Sequence, residues 1–146
     1  MKNSLLILLT SCITLAACNK QNNTGNGRER LVFDSGNLKF ISTSLNPKKE
    51  TMSALYGNEK AMESLSEETK IPKAGTEMKL VTWRYHDNPQ YTGGTITGEL
   101  VSIETVQTDA KGEVFYQVKN VTSQKAAANQ EERIQYLMSY RPVSRP

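Results

Sequence analysis

The segment Lys79–Val106, KLVTWRYHDNPQYTGGTITGELVSIETV, decides the fold that we expect for this chain. Two stretches in it alternate apolar and polar residues, and alternation with a period of two is typical of β-strands. In the first stretch Val81, Trp83 and Tyr85 share one face, and we expect this apolar face to lie in the core. The segment therefore predicts two strands separated by a loop.

The loop and the second stretch are interpreted in the same way. Every second residue from Leu100 to Val106 shares one face, which predicts a half-buried strand. His86–Pro89 predicts a turn, because Asp and Asn side chains bond to nearby backbone and proline favours an extended residue before it. We interpret Gly93-Gly94 as a turn or bulge rather than a phosphate loop, since β-prone sequence follows instead of a helix.

More elements are predicted on both sides of this segment. The strands are Leu38–Ser44, Thr51–Tyr56 and Glu113–Val121, and the hairpin turn Asp109–Gly112 joins the last one to the strand before it. A short helix, Glu59–Leu65, has Asn58 as its N-cap.

The period changes in Ser123–Tyr140, which predicts a C-terminal helix that Ser123 or Asn129 caps and Pro142 ends. Ile134, Leu137 and Met138 follow the i, i+3, i+4 pattern of residues that pack on a sheet. We therefore predict an α+β fold. An antiparallel sheet of about five strands carries the short helix and the C-terminal helix, which is packed on one face.

The N-terminus predicts a lipoprotein signal peptide at residues 1–17. Lys2 precedes an apolar stretch that is too short to span a bilayer, and small residues follow it. Leu15-Ala16-Ala17-Cys18 resembles the bacterial lipobox, which implies cleavage before Cys18 and a lipid on its sulfur; the alternative is an ordinary secreted protein. Residues 18–30 are then the lipidated cysteine and a flexible tether, and residues 31–146 are the folded domain.

Composition limits the location, cofactors and partners. Asn19 rather than Asp follows Cys18, which predicts attachment to the outer membrane with the domain facing the periplasm. Cys12 leaves with the signal peptide and no cysteine follows Cys18, which excludes cysteine zinc sites, iron–sulfur clusters, thiol catalysis and covalent haem. A net charge of +3 without a long run of either sign argues against nucleic acid as a partner.

The candidate binding residues are Trp83, Tyr85, His86 and Tyr91, and no residue is assigned a catalytic role. Trp83 is either a core aromatic residue or a ring that stacks on a ligand. His86, the only histidine, is either a solvated loop residue or a metal ligand, which in this chain would require haem. No arrangement of Ser, His and Asp or of Cys and His indicates nucleophilic catalysis, and no metal site is predicted.

The predicted C-terminal helix offers a second candidate. Arg133 and Arg141 lie near Tyr136 and Tyr140 in the sequence. These four residues either line a small anion site or are solvated surface residues.

Five motifs follow one another in the first part of the domain: Phe40–Asn46, Thr51–Asn58, Pro72 with Ala74-Gly75-Thr76, Leu80–Trp83, and Tyr91–Ile96. Their order and spacing resemble the cytochrome P-460 family. The resemblance implies a mixed α and β fold, a periplasmic location, a pocket and a homodimer. Family members bind haem covalently through C-x-x-C-H and a lysine cross-link, and some oxidise hydroxylamine. This chain lacks that motif and its histidine, and no lysine here is matched to the cross-link.

These observations favour a cell-envelope lipoprotein whose cytochrome P-460-like domain is a non-catalytic binding or interaction module without a cofactor. Its expected partners are the membrane, through the lipid on Cys18, and a protein of the envelope. The alternative is a periplasmic redox protein that binds haem noncovalently through His86, a Met or a Tyr.

Overall fold

The computed structural model describes residues 32–67, 69–121 and 129–143. The predicted signal peptide, Cys18, the tether and Ser123 lie outside these residues. The described chain forms five strands and two helices: β1 (Lys39–Asn46), β2 (Thr51–Gly57), α1 (Glu59–Ser66), β3 (Glu77–Asp87), β4 (Thr95–Thr108), β5 (Val114–Asn120) and α2 (Gln130–Met138).

The strands form one antiparallel sheet in the order β1-β2-β3-β4-β5, so each strand pairs with its neighbour in the chain. α1 lies in the connection between β2 and β3, and α2 follows β5. The register places Leu55, Leu80 and Glu104 in one row across β2, β3 and β4. The α+β class and the antiparallel sheet that the alternation predicted are confirmed.

One face of the sheet, which we call the covered face, packs against both helices and holds the main core. The core cluster consists of Ile41, Leu55, Ala61, Leu65, Met78, Leu80, Val106, Leu137, Met138 and Tyr140. α1 begins at its predicted cap, since the Asn58 side chain accepts a hydrogen bond from the Ala61 N–H at 3.0 Å. Gly57 lets this helix lie close to the sheet, because a Cβ at this position would be 2.6 Å from the Ala61 Cβ.

The opposite face, which we call the aromatic face, carries Tyr56, Val81, Trp83 and Tyr85. The prediction that Val81, Trp83 and Tyr85 lie in the core is confirmed for Val81, which is fully buried. It is wrong for the two aromatic residues, which are only half-buried, because the helices pack on the other face of β3, where Leu80 lies. Alternation separates the two faces of a strand, but it does not tell which one the helices cover.

β4 contains two irregularities that the alternation did not reveal. Thr82 pairs with Ser102 but Trp83 pairs with Leu100, and a second shift follows towards the loop. The extra residue of β4 moves Leu100 to the aromatic face, opposite Trp83. The predicted common face from Leu100 to Val106 is therefore wrong at its first residue.

α2 is shorter than the predicted helix. Asn129 is its N-cap, and the Asn129 side chain accepts a hydrogen bond from a backbone N–H of the first turn at 3.3 Å. The helix ends at Met138 rather than at Pro142. The physical reason is that Ser139 bonds back to the carbonyl of Tyr136 through both its N–H and its hydroxyl, which closes the last turn.

The C-terminal half of α2 is tied to the sheet. Leu137 and Met138 are buried in the core cluster and Ile134 packs against it, as the i, i+3, i+4 pattern predicted. After the helix, the N–H of Val143 donates to the carbonyl of Ile41 in β1 at 3.0 Å. Among the described residues, neither helix is long and apolar enough to cross a membrane.

Candidate functional site

The predicted binding residues lie in the distal part of the β3–β4 hairpin, which we call the hairpin end and define as residues 83–97. β3 continues through Asp87, so the turn predicted at His86–Pro89 starts too early. The loop is closed by the Asn88 N–H, which donates to the Gly94 carbonyl at 2.8 Å. Gly93 has a φ of 82°, a conformation that favours glycine, and the predicted glycine turn is confirmed.

The hairpin end presents the four predicted residues differently. Trp83 and Tyr85 are half-buried neighbours on the aromatic face, whereas His86 is exposed and Tyr91 lies in the loop with 69% of its surface exposed. In the part of the chain that the structure describes, the ring of Trp83 contacts that of Phe33 and none of the other three predicted rings. The four residues therefore share a region of the surface, although their exposure differs.

Trp83 belongs to a group of four rings on the aromatic face, which we call the aromatic cluster: Phe33, Phe40, Tyr56 and Trp83. The ring centroids of Phe33 and Tyr56 are 5.1 Å apart, those of Phe40 and Tyr56 are 5.9 Å apart, and those of Phe33 and Trp83 are 6.5 Å apart. Such pairs contribute about 0.5–1.5 kcal/mol each beyond area burial. The sequence analysis assigned no role to Phe33, because the contact joins residues that are distant in sequence.

His86 is held by a close approach between two strands. A Cβ added to Gly98 would lie 3.2 Å from Nε2 of His86 and 3.3 Å from the carbonyl oxygen of Arg84. The imidazole therefore rests against the backbone of β4 at an exposed position. Glycine at position 98 makes room for it.

A shallow cleft of about 290 Å³ lies at the other end of the sheet. It is lined by Asn58, Gly75, Thr76, Glu77, Gln107, Thr108, Asp109 and Phe115. Haem iron in proteins is held by His, Cys, Met or Tyr, and none of these residue types lines this cleft. The only histidine lies in the hairpin end instead, so this cleft offers no residue that could hold haem iron.

A buried charged group that the sequence did not reveal joins α2 to the sheet. Glu104 is 5% exposed and accepts two hydrogen bonds from Arg133, at 2.8 Å from Nε and 2.6 Å from Nη2. The hydroxyl of Tyr116 donates to the same carboxylate at 2.7 Å. In the apolar and polar alternation of its strand, Glu104 does not differ from any other polar residue. Its partner Arg133 is distant in sequence, so no local pattern predicts the pair.

These contacts shift the pKa of Arg133 and of Tyr116. The bidentate hydrogen bonds to Glu104 raise the pKa of Arg133, against the opposing effect of burial. Burial, and then the hydrogen bond to Glu104, raise the pKa of Tyr116 to about 12. The guanidinium of Arg133 is engaged with a buried carboxylate, so the interpretation of Arg133 as part of an anion site is wrong.

The two tyrosines of the same candidate form a second polar link. The hydroxyls of Tyr140 and Ser44 are 2.6 Å apart, and those of Tyr140 and Tyr136 are 3.2 Å apart. Burial is the main cause of the raised pKa of Tyr140. Arg133 also lies 4.6 Å from the ring centroid of Tyr136. This arrangement attaches the C-terminal end of α2 to β1 and gives both tyrosines a structural role.

Comparisons with known proteins add no family assignment: no protein-family model matches the sequence, and no curated protein matches it. The resemblance to the cytochrome P-460 family stays a prediction. In the described residues, no three or more His, Cys, Asp or Glu side chains are grouped in a way that would hold a metal ion. What the site offers chemically is a set of aromatic rings on a rigid sheet, suited to apolar contact and stacking.

Proposed function

We propose that this chain is a cell-envelope lipoprotein whose domain is a non-catalytic binding module, and that the hairpin end is its binding surface. One observation carries the proposal: Trp83 and Tyr85 lie side by side and only partly buried on the face of the sheet opposite the helices. Trp and Tyr are enriched in protein interfaces, because they supply a large apolar area with few rotatable bonds.

The surroundings of the two rings support a contact surface. The ring of Phe33 lies edge-on to Trp83, and the backbone N–H of Tyr85 donates to the carbonyl of Glu50 at 3.0 Å. Leu45 is 57% exposed on the same face, and Ile96 is 47% exposed at the hairpin end. A concentration of exposed apolar side chains at one end of a domain marks an interaction site.

The location is part of the proposal. A lipid on Cys18 anchors the protein to the outer membrane, residues 18–30 form the tether, and the domain faces the periplasm with a cytochrome P-460-like fold. A partner of this module is then a protein of the same envelope. The position of Phe33 supports this arrangement, since the chain enters its described part on the aromatic face, next to the proposed surface.

Site-specific photo-crosslinking in intact cells tests the binding surface. A photoreactive phenylalanine replaces Tyr85 in one variant and the exposed Gln135 of α2 in a control variant. The proposal predicts a discrete crosslinked product from position 85 and none of that size from position 135. Equal products from both positions, or none from position 85, would overturn the hairpin end as the binding surface.

The alternative of a haem-binding redox protein has its own test. Haem is titrated into the soluble domain, residues 28–146, and the Soret absorbance is followed. Binding that does not saturate is expected if the domain is the module proposed here. Saturable one-to-one binding that is lost in His86→Ala would replace the proposal with the redox alternative.

A further inference from the structure

The two edges of the sheet are protected to different degrees. At β1, the register shifts between Phe40 and Ser42, and the Val143 N–H bonds to the outer side of the strand at the carbonyl of Ile41. Bulges, covering segments and charged side chains, especially Lys, are the usual protections of an edge strand. Among the described residues, β5 has only the last of these, in Lys119. At β5, the register with β4 is regular, and within the described residues the backbone of Val114–Asn120 bonds only to β4.

The hydrogen-bond directions along β5 follow from the residues that flank it. The Val121 N–H donates to Val101, and the Glu113 carbonyl accepts from Asp109, so the odd-numbered residues point towards β4. Directions alternate along an antiparallel strand. The N–H and C=O groups of Tyr116 and Val118 therefore point outward, away from the sheet.

We propose that the outer edge of β5 binds an extended segment of a partner protein, which adds a sixth antiparallel strand to the sheet. This surface is distinct from the hairpin end and goes beyond the function proposed above. Main-chain hydrogen bonds to Tyr116 and Val118 provide the contact, and side chains set the choice of segment.

The side chains of β5 define the chemistry of that segment. Val114, Tyr116 and Val118 are half-buried on the covered face, so the segment carries apolar residues at the positions beside them. Lys119 is the only charged side chain of β5 and is exposed on the aromatic face, so a carboxylate belongs opposite it. Phe115, which is 52% exposed on that face, calls for an aromatic or long aliphatic residue.

The same pattern favours a different protein over a second copy of this chain. If two copies of β5 paired over their full length, Lys119 of each would lie opposite Phe115 of the other and would meet no carboxylate. A partner strand with an acidic residue opposite Lys119 would pair with this charge. β5 itself contains no acidic residue, so a second copy cannot provide one from this strand.

A designed peptide tests the edge. The probe is a short fluorescent peptide with valines on one face and, on the other, a glutamate opposite Lys119 and a phenylalanine opposite Phe115. Fluorescence anisotropy with the intact protein in detergent is expected to show saturable binding. Val118→Pro is expected to weaken binding at least about tenfold while the circular dichroism spectrum is retained, because it removes an N–H that β4 does not use.

Charge reversal tests the register without touching the backbone. Lys119→Glu is expected to weaken binding of the peptide that carries glutamate. A second peptide with lysine in place of that glutamate is expected to bind the variant as the first peptide binds the parent protein. Lys111→Glu, in the exposed turn before β5, is the matched control and is expected to change neither. The absence of saturable binding, or the same response at both lysines, would overturn the proposal. Self-association of the protein alone that Val118→Pro abolishes would assign the edge to a second copy instead, and would overturn it as well.

Discussion

The covered face and the aromatic face of this sheet use the same strands for different purposes. The covered face holds fully buried aliphatic side chains, a bidentate ion pair and both helices. The aromatic face holds the buried residues Val81 and Ala54 together with the partly buried rings of Phe33, Tyr56 and Trp83. The difference indicates that stability comes mainly from the covered face and that the aromatic face keeps apolar surface available for contact.

The largest expected difference between the faces comes from neighbouring residues of β3. Leu80→Ala removes a side chain that is 1% exposed in the core cluster and is expected to lower the free energy of unfolding by about 2–5 kcal/mol. Trp83→Ala removes a larger but only partly buried ring and is expected to lower the free energy of unfolding by less. Urea denaturation of both variants measures this, and a greater loss for Trp83→Ala would reverse the roles assigned to the faces.

The buried ion pair gives the next largest effect. Arg133→Met leaves the Glu104 carboxylate buried without its cationic partner and is expected to cost about 2–3 kcal/mol of unfolding free energy. Lys60→Met breaks the exposed pair with Glu63 and is the control, with an expected cost of about 0.5 kcal/mol or less.

The ion-pair prediction has a rescue test. In the double variant with Glu104→Leu and Arg133→Met, no buried charge remains, and much of the lost stability is expected to return. If the double variant is as unstable as the sum of the two single variants, the pair does not act as a unit.

Substitutions at two glycines compare the tightness of packing in the core with that near the hairpin end. Gly57→Ala places a Cβ 2.6 Å from the Ala61 Cβ and 2.7 Å from Cδ1 of Ile41, and is expected to cost about 1–3 kcal/mol. Gly98→Ala meets the exposed ring of His86, which can turn away, and the Arg84 carbonyl oxygen at 3.3 Å, and is expected to cost less, about 1 kcal/mol at most. Similar losses of unfolding free energy for both would mean that the hairpin end is as rigidly packed as the core.

The smallest expected effect is a pH dependence on the covered face. The folded-state pKa of Tyr116 is about 12, above the ordinary 10.0, so the unfolded chain loses this proton first. The stabilisation that the protonated Tyr116 adds to the folded state is complete below pH 10 and is lost as the pH rises towards 12. The free energy of unfolding, measured from neutral pH to about pH 11, is expected to fall less steeply in Tyr116→Phe than in the parent. If the free energy of unfolding falls equally steeply with pH in both proteins, Tyr116 is not the source of the pH dependence.

Sequence reasoning predicted the parts of the fold that local patterns determine. Alternation predicted the strands of the sheet. Residue type alone predicted Asn58 as one helix cap and left Ser123 and Asn129 as alternatives for the other, which is Asn129. The irregular pairing near Leu100 was not predictable, because a bulge leaves the apolar and polar pattern almost unchanged.

The site was predictable only in part. Trp83 and Tyr85 were expected to share a face, and they do, but their exposure depends on where the helices pack. The pairing of Glu104 with Arg133 and the contact of Phe33 with Trp83 join residues that are distant in sequence. No periodicity within one element contains such information.

The yield of the crosslinked product from position 85 in intact cells tests the division of roles most directly. Trp83→Ala is expected to reduce that yield at least about tenfold while the domain stays folded, because it removes the central ring of the proposed surface. Leu80→Val, which weakens the core mildly, is expected to leave the yield unchanged. If Leu80→Val lowers the yield and Trp83→Ala does not, the aromatic face is not the binding surface, and the account is contradicted.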